Sequence, residues 1–187
     1  MTISNTIRVL AFSGSLRKDS YNTMLLNAIT KIVPDEIEVV IFNSMAQIPL
    51  FNPDNDDESV AIVNEFRSEI KKSDGLLIAS PEYAHGISGV LKNTLDWLVS
   101  GDEFPYIPVA LCNTSPRATH AQIALREVLS TMSANIIEQA SIGVALLGTD
   151  YNVMDLIKNK EIVELINTNM AIFKSAIIKS DRYLYGK

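Results

Sequence analysis

Five short apolar runs rich in Val and Ile, separated by long stretches of helical period, set the strongest limit on what this chain can fold into. The runs are Ile7–Phe12, Ile37–Phe42, Leu76–Ser80, Ile107–Cys112 and Ile142–Leu146. They are apolar at nearly every position and show no alternation with polar residues, which marks strands covered on both faces, as in a parallel sheet. Parallel neighbours need a crossover of a dozen residues or more between them. The intervening stretches supply it, with apolar residues at three- and four-residue steps. These are Leu25, Ile29 and Ile32; Ile62, Phe66 and Ile70; Val90, Leu91, Leu95 and Leu98; Leu125, Val128, Leu129 and Met132; and Ile162, Leu165, Ile166, Phe173 and Ile177. Each stripe turns one helix face toward the sheet. Five strand–helix repeats without a break in composition predict one doubly wound α/β domain over residues 1–187, with helices on both faces of the sheet.

Composition narrows the partners. With 187 residues and 47% apolar content the chain can build one full core. A net charge of −6 argues against nucleic acid, whose phosphates are bound by clustered Lys and Arg, and against an anionic membrane surface. No apolar run is long enough to cross a bilayer, and the start of the sequence lacks the basic-then-apolar layout of a signal peptide, so a cytoplasmic location is expected. One cysteine, Cys112, excludes an internal disulfide framework, and with two histidines, His85 and His120, no zinc-ligand spacing exists. Cys112 closes a buried strand with no basic partner nearby, and reads as a core thiol.

Chemistry concentrates where strands end. Directly after the first run comes Ser13-Gly14-Ser15-Leu16-Arg17-Lys18-Asp19-Ser20-Tyr21-Asn22-Thr23, leading into a helix. Ligands of open α/β sheets sit outside the carboxyl ends of strands, and a helix N-terminus attracts anions through its free N–H groups and dipole. The hydroxyls of Ser15 and Ser20 and the amide of Asn22 suit a phosphate cradle, and Arg17 suits a bidentate charged contact. The plainer alternative is a helix cap at Ser20 or Asn22 with Arg17 as surface charge. No Gly-Lys-Ser/Thr follows the loop and no G-x-G-x-x-G occurs, so a nicotinamide dinucleotide has no Rossmann site of its own here. After the third run the sequence reads Ser80-Pro81-Glu82-Tyr83-Ala84-His85-Gly86-Ile87-Ser88-Gly89, continuing through Leu91-Lys92-Asn93 to Asp96-Trp97. Pro and Gly around a strand end let backbone approach a planar ligand.

Together the two loops resemble the NADPH-dependent FMN reductase family, which also holds quinone, azo-dye and chromate reductases. The first matches a G-S-x-R-x-x-S-x-N signature at Gly14, Ser15, Arg17, Ser20 and Asn22, and the second a P-E-Y-x-x-G-x-x-G-x-L-K-N-x-x-D-W signature from Pro81 to Trp97. Pro49-Leu50-Phe51-Asn52 and the run from Ser115-Pro116-Arg117 to Leu125-Arg126 are also similar. The resemblance implies a flavodoxin-like sheet in the order 2-1-3-4-5 and bound FMN, with NAD(P)H as co-substrate. It places FMN against Ser13, Ser15, Arg17, Ser20, Tyr21, Asn22 and Thr23 in the first loop, Pro81, Glu82, Tyr83, Ala84, His85 and Gly86 along the ring, and Ser115 at the flavin edge. Many relatives carry Asn after the Tyr, where this chain has Ala84-His85.

Tyr83, His85 and Arg117 are the candidate substrate contacts, each with a plainer reading: a packed aromatic, a surface histidine, a helix-start arginine. Lys92 and Asp96, at four-residue spacing, suit an ion pair and Trp97 suits packing. Glu82 is not assigned as acid or base. No protein side chain is expected to be catalytic, because the flavin carries hydride chemistry and the protein binds and orients it. The expected activity is NAD(P)H oxidation with a quinone, azo compound, metal oxyanion or free flavin as small-molecule acceptor, in ping-pong order. The alternatives are a flavodoxin-type electron carrier without turnover, and a fold of this type serving a nucleotide or sugar phosphate. A homodimer or homotetramer follows from the resemblance. The long Asn43–Asp57 connection, with Asp54, Asp56 and Asp57 in an acidic cluster, offers Ile48, Leu50 and Phe51 as a subunit contact.

Overall fold

The structure is a computed structural model that describes residues 6–55 and 60–185, so Asp56 and Asp57 of the acidic cluster lie outside the described residues. The parallel sheet forms where the apolar runs predict it. Strand β1 (Ile7–Ser13) pairs on one side with β2 (Ile37–Ile41) and on the other with β3 (Gly75–Ala79), and β3 pairs with β6 (Pro108–Asn113). The fifth position is divided. Strand β7 (Asn135–Ile136) pairs with the start of β6, and β8 (Ile142–Gly143) with its end. Between them Glu138–Ala140 make a 3-10 turn, and Ser141 Oγ accepts the Leu111 N–H that the missing ladder rung would have taken, at 3.3 Å. Spatially the order is β2-β1-β3-β6 followed by β7 and β8, which is the flavodoxin-like 2-1-3-4-5 arrangement with its last strand interrupted.

Period-2 geometry sorts each strand between two cores. Ile7, Val9 and Ala11 face the layer of α1 (Tyr21–Ile32) and α6 (Lys160–Ile178), where Leu25, Leu26, Ile29, Ile166, Met170, Phe173 and Ile177 are buried. Leu10 and Phe12 face the layer of α2 (Ala61–Lys71), α3 (Gly89–Asp96) and α4 (Thr119–Thr131), meeting Phe66, Ile70, Leu91, Leu95, Leu125 and Leu129. Leu165, placed with the apolar stripe of the last helix by its spacing, is 37% exposed, because the stripe drifts around the helix and the buried side runs through Ile166 and Met170. Two short helices, α5 (Val153–Lys158) and α7 (Asp181–Tyr185), flank α6. A two-stranded hairpin, β4 (Glu82–Tyr83) and β5 (Gly86–Ile87), stands off the sheet after β3. Among the described residues, no helix is long and apolar enough to cross a membrane.

The long connection after β2 is fixed against α3. Met45 and Ile48 enter the core, so Ile48 is not available as a subunit contact, while Leu50 stands 84% exposed. Asn93 Nδ2 and Trp97 Nε1 both donate to the Pro49 carbonyl at 2.8 and 2.9 Å, and Asn93 Oδ1 accepts from the Phe51 N–H at 2.8 Å. Phe51 meets the buried Trp97 edge-on, with ring centroids 5.2 Å apart. Lys92 and Asp96 form the ion pair that their spacing predicts. The K-N-x-x-D-W part of the second motif is therefore structural: it holds the connection that follows β2.

Candidate functional site

Loops following β1, β3, β6 and β8 converge at the carboxyl edge of the sheet on a cavity of about 300 Å³. Its lining includes Ser15, Arg17, Ser20, Tyr21 and Asn22 from the first loop, Pro81, Glu82 and Tyr83 from the hairpin, and Ser115 and Arg117 after β6. These are ten of the residues the sequence singles out, drawn together from three segments.

At one end the cavity meets the first turn of α1. The first N–H groups of a helix have no intrahelical acceptor, so this end presents donors and a partial positive charge. Ser20 is the N-cap: its Oγ accepts from the Thr23 N–H at 3.3 Å while the residue also lines the cavity. Both readings of Ser20, cap and cavity residue, thus describe the same side chain. Asn22 is buried and its Oδ1 accepts from Thr114 Oγ1 at 3.1 Å, tying α1 to the loop after β6. Tyr21 donates its hydroxyl to the Thr149 carbonyl at 2.8 Å and so fastens the loop after β8. Gly14 makes the approach of the two motif loops possible. A Cβ there would stand 2.6 Å from Ser88 Oγ and 2.9 Å from Leu91 Cβ, closer than atoms can pack. Ser88 donates to the Gly14 carbonyl at 2.6 Å and caps α3 by accepting from the Leu91 N–H.

The hairpin forms the side wall. Tyr83 is 49% exposed, with its ring available at the mouth. Ala84 and His85, the two turn residues, have φ of 49° and 60°. Such left-handed pairs suit Asn-Gly, and an alanine there costs on the order of 1–2 kcal/mol. Glu82 lines the cavity, and its Oε2 accepts from the Ala121 N–H at 2.9 Å and so caps α4, whose own N-cap residue Ala118 provides no side-chain bond. A carboxylate at that helix end is also favoured by the dipole.

Several expected residues fall outside the lining. Ser13 is buried and its hydroxyl accepts from the Ser15 N–H at 3.1 Å. Thr23 is the third residue of α1, its carbonyl taken by Asn27 Nδ2 at 2.9 Å. Ala84, His85 and Gly86 form the hairpin tip, beyond the cavity, with His85 against His120. Conversely, Ser80, Asn113, Thr114, Ala118 and Leu147 line the cavity without having been singled out. The signal for most of them is positional: each lies in or beside a segment that follows a strand's carboxyl end, and such segments border the crevice of an open α/β sheet. Cys112, fully buried, has its thiol pushed up to about 12 by loss of solvation and takes no part in the site's chemistry.

An anion-attracting helix end with Ser15, Ser20 and Arg17, opening into a slot walled by Pro81, Tyr83, Ala118 and Leu147, has the donor set and shape that a phosphorylated planar ligand requires. FMN fits that description. The fold is similar to that of the flavoenzyme NAD(P)H:(acceptor) oxidoreductase FerB from Paracoccus denitrificans, with a TM-score of 0.65, 22% identity and coverage of 91% of this chain and 93% of that one. In sequence the chain is 33% identical over 147 residues to a quinone reductase of Escherichia coli K12, covering 73% of this chain and 77% of the relative. It is 29% identical over 174 residues to an NAD(P)H-dependent FMN reductase of Pseudomonas aeruginosa, covering 90% and 94%. The family model for NADPH-dependent FMN reductase matches residues 7–146, from the first strand to the loop that closes the cavity, and the chain belongs to that family of oxidoreductases.

Proposed function

We propose that this protein, working in the cytoplasm, binds FMN in the cavity at the sheet's carboxyl edge and oxidises NAD(P)H there, passing the electrons to a quinone, azo compound, metal oxyanion or free flavin. The observation that carries the reading is convergence: both family motifs and the loop after β6 contribute to one cavity, with its anion-attracting end at α1. When bound, FMN supplies the hydride and electron chemistry. The chain's own residues bind and orient. Ser15, Ser20 and Arg17, with the first N–H groups of α1, hold the phosphate; Pro81 and Tyr83 flank the ring; Ser115 reaches its edge. Tyr83 is the wall that both substrates meet, and Arg117, exposed on the opposite rim, attracts the anionic part of an incoming partner. No side chain at the cavity forms a nucleophile–base pair, and hydride transfer needs none: stacking and distance suffice.

The test is direct. Purified protein titrated with FMN takes up one flavin per chain, and the loaded protein consumes NAD(P)H steadily when a quinone is supplied. Absence of FMN uptake would overturn the cofactor assignment. Uptake without steady NAD(P)H consumption would overturn the turnover and leave an electron carrier.

A further inference from the structure

The chain has two histidines, and the fold sets their rings face to face. His85 sits at the tip of the β4–β5 hairpin and His120 in the first turn of α4, with ring centroids 4.4 Å apart and planes inclined by 15°. Neither lines the cavity. What the pair does follows from the turn it touches. Ala84 and His85 are both left-handed, and Ala84 lacks the side chain that lets Asn hold such a turn by itself. The turn is closed by the Tyr83–Gly86 pair of the hairpin and is braced from α4 by two side-chain contacts: Glu82 Oε2 on the Ala121 N–H, and His85 on His120. Both run to the first turn of α4, which continues directly from the Ser115–Ala118 wall opposite the hairpin.

We propose that His120 is a positioning residue: stacked on His85, it holds the left-handed Ala84–His85 turn and clasps the hairpin to the α4 wall of the cavity. His120 touches neither substrate nor cofactor and acts through His85. The consequence for flavin rests on the reading of this hairpin as the flavin-facing wall; the clasp itself does not. In a turn that holds itself, such as Asn-Gly, the stack would be superfluous, so the two devices are interchangeable ways of fixing the same wall.

Amide hydrogen exchange over residues 83–87 in the FMN-free protein reads the clasp, and FMN titration reads its consequence. An aromatic stack of ordinary strength predicts that His120→Ala speeds exchange of these amides by about three- to tenfold and weakens FMN binding by a similar factor. His120→Phe, which keeps a ring and loses the titratable nitrogens, restores both. In Ala84→Asn, which keeps His85 and gives the turn a side chain that holds the left-handed conformation, His120→Ala has a much smaller effect on both. Unchanged hairpin exchange in His120→Ala would overturn the proposal, as would failure of His120→Phe to rescue it, or faster exchange spread evenly along α4. A wild-type chain that bound no FMN but still showed the exchange response would overturn the flavin reading and support the clasp.

Discussion

Ser20 caps α1 and lines the cavity with one side chain, and that overlap decides how the proposed phosphate end of the cavity should be probed. Its Oγ already accepts from the Thr23 N–H, so Ser20→Ala removes a cap worth about 0.5–2 kcal/mol of helix stability together with any ligand contact. Arg17 has no such structural burden: it is exposed and lines the cavity. A charge-assisted hydrogen bond to phosphate contributes about 1.5–3 kcal/mol, so Arg17→Ala should weaken FMN binding by roughly one to two decades while leaving the unfolding midpoint unchanged. Fluorescence titration of FMN, beside a melting curve, checks it; unaltered affinity would remove Arg17 from the phosphate cradle. At this scale the sequence is informative about residue type and place, since Ser15, Arg17, Ser20 and Asn22 follow a strand and open a helix. It is silent on partners. Glu82 bonds the N–H of Ala121, 39 positions away, and Thr114 bonds Asn22, 92 positions away. Which element crosses which is a property of the packed chain, not of either local segment.

The elements themselves were legible where their period was long. Four strands, β1, β2, β3 and β6, and the principal helices follow from apolar runs and stripes that extend over five residues or more. The interrupted fifth strand was not, because the run Ile142–Leu146 is apolar throughout and the break depends on Ser141 and the 3-10 turn before it. Nor was the β4–β5 hairpin: its strands are two residues each and its turn, Ala84-His85, carries no Asn or Gly. That interrupted strand is tied to α4 by Arg126, which donates to Glu138 through Nε and a terminal nitrogen at 2.7 and 2.9 Å. The Arg126 hydrogen bond holds the Glu138 carboxyl below its ordinary value of 4.5. A carboxyl depressed in the folded state stabilises above its unfolded value, and that contribution is lost as pH falls through the folded one. The pair is half-exposed, so the contribution is modest. Glu138→Gln should therefore lower the melting temperature slightly at neutral pH, and the difference from the parent should shrink as pH falls from 4.5. A gap that stayed constant across that window would show that the ion pair has no energetic role.

At the scale of the whole molecule, the two cores on opposite faces of the sheet leave the carboxyl edge as the place where four loops meet, in a chain whose family is one of oxidoreductases. Leu50, 84% exposed beside the half-covered Phe51, leaves an apolar spot on a connection that Asn93 and Trp97 hold rigid. We propose that a second copy of the chain covers it, since closed homo-oligomers are the common way to bury such a spot. Sedimentation should then give at least twice the chain mass of 20.6 kDa at micromolar concentration, and Leu50→Asp should shift the population toward single chains. A parent protein that sediments as a monomer would contradict this.

The central claim is that one cavity serves two substrates, and initial-rate kinetics test it most directly. No dinucleotide fingerprint supplies the nicotinamide with a site of its own, and in the proposed function both partners meet the wall at Tyr83, which lines the cavity. NAD(P)H and acceptor should therefore exclude each other and visit in turn. Double-reciprocal plots should be parallel, with each substrate inhibiting competitively against the other at high concentration, and Tyr83→Ala should slow both half-reactions. Intersecting lines, or NAD(P)H and acceptor trapped together on the protein, would show two separate sites and contradict the account.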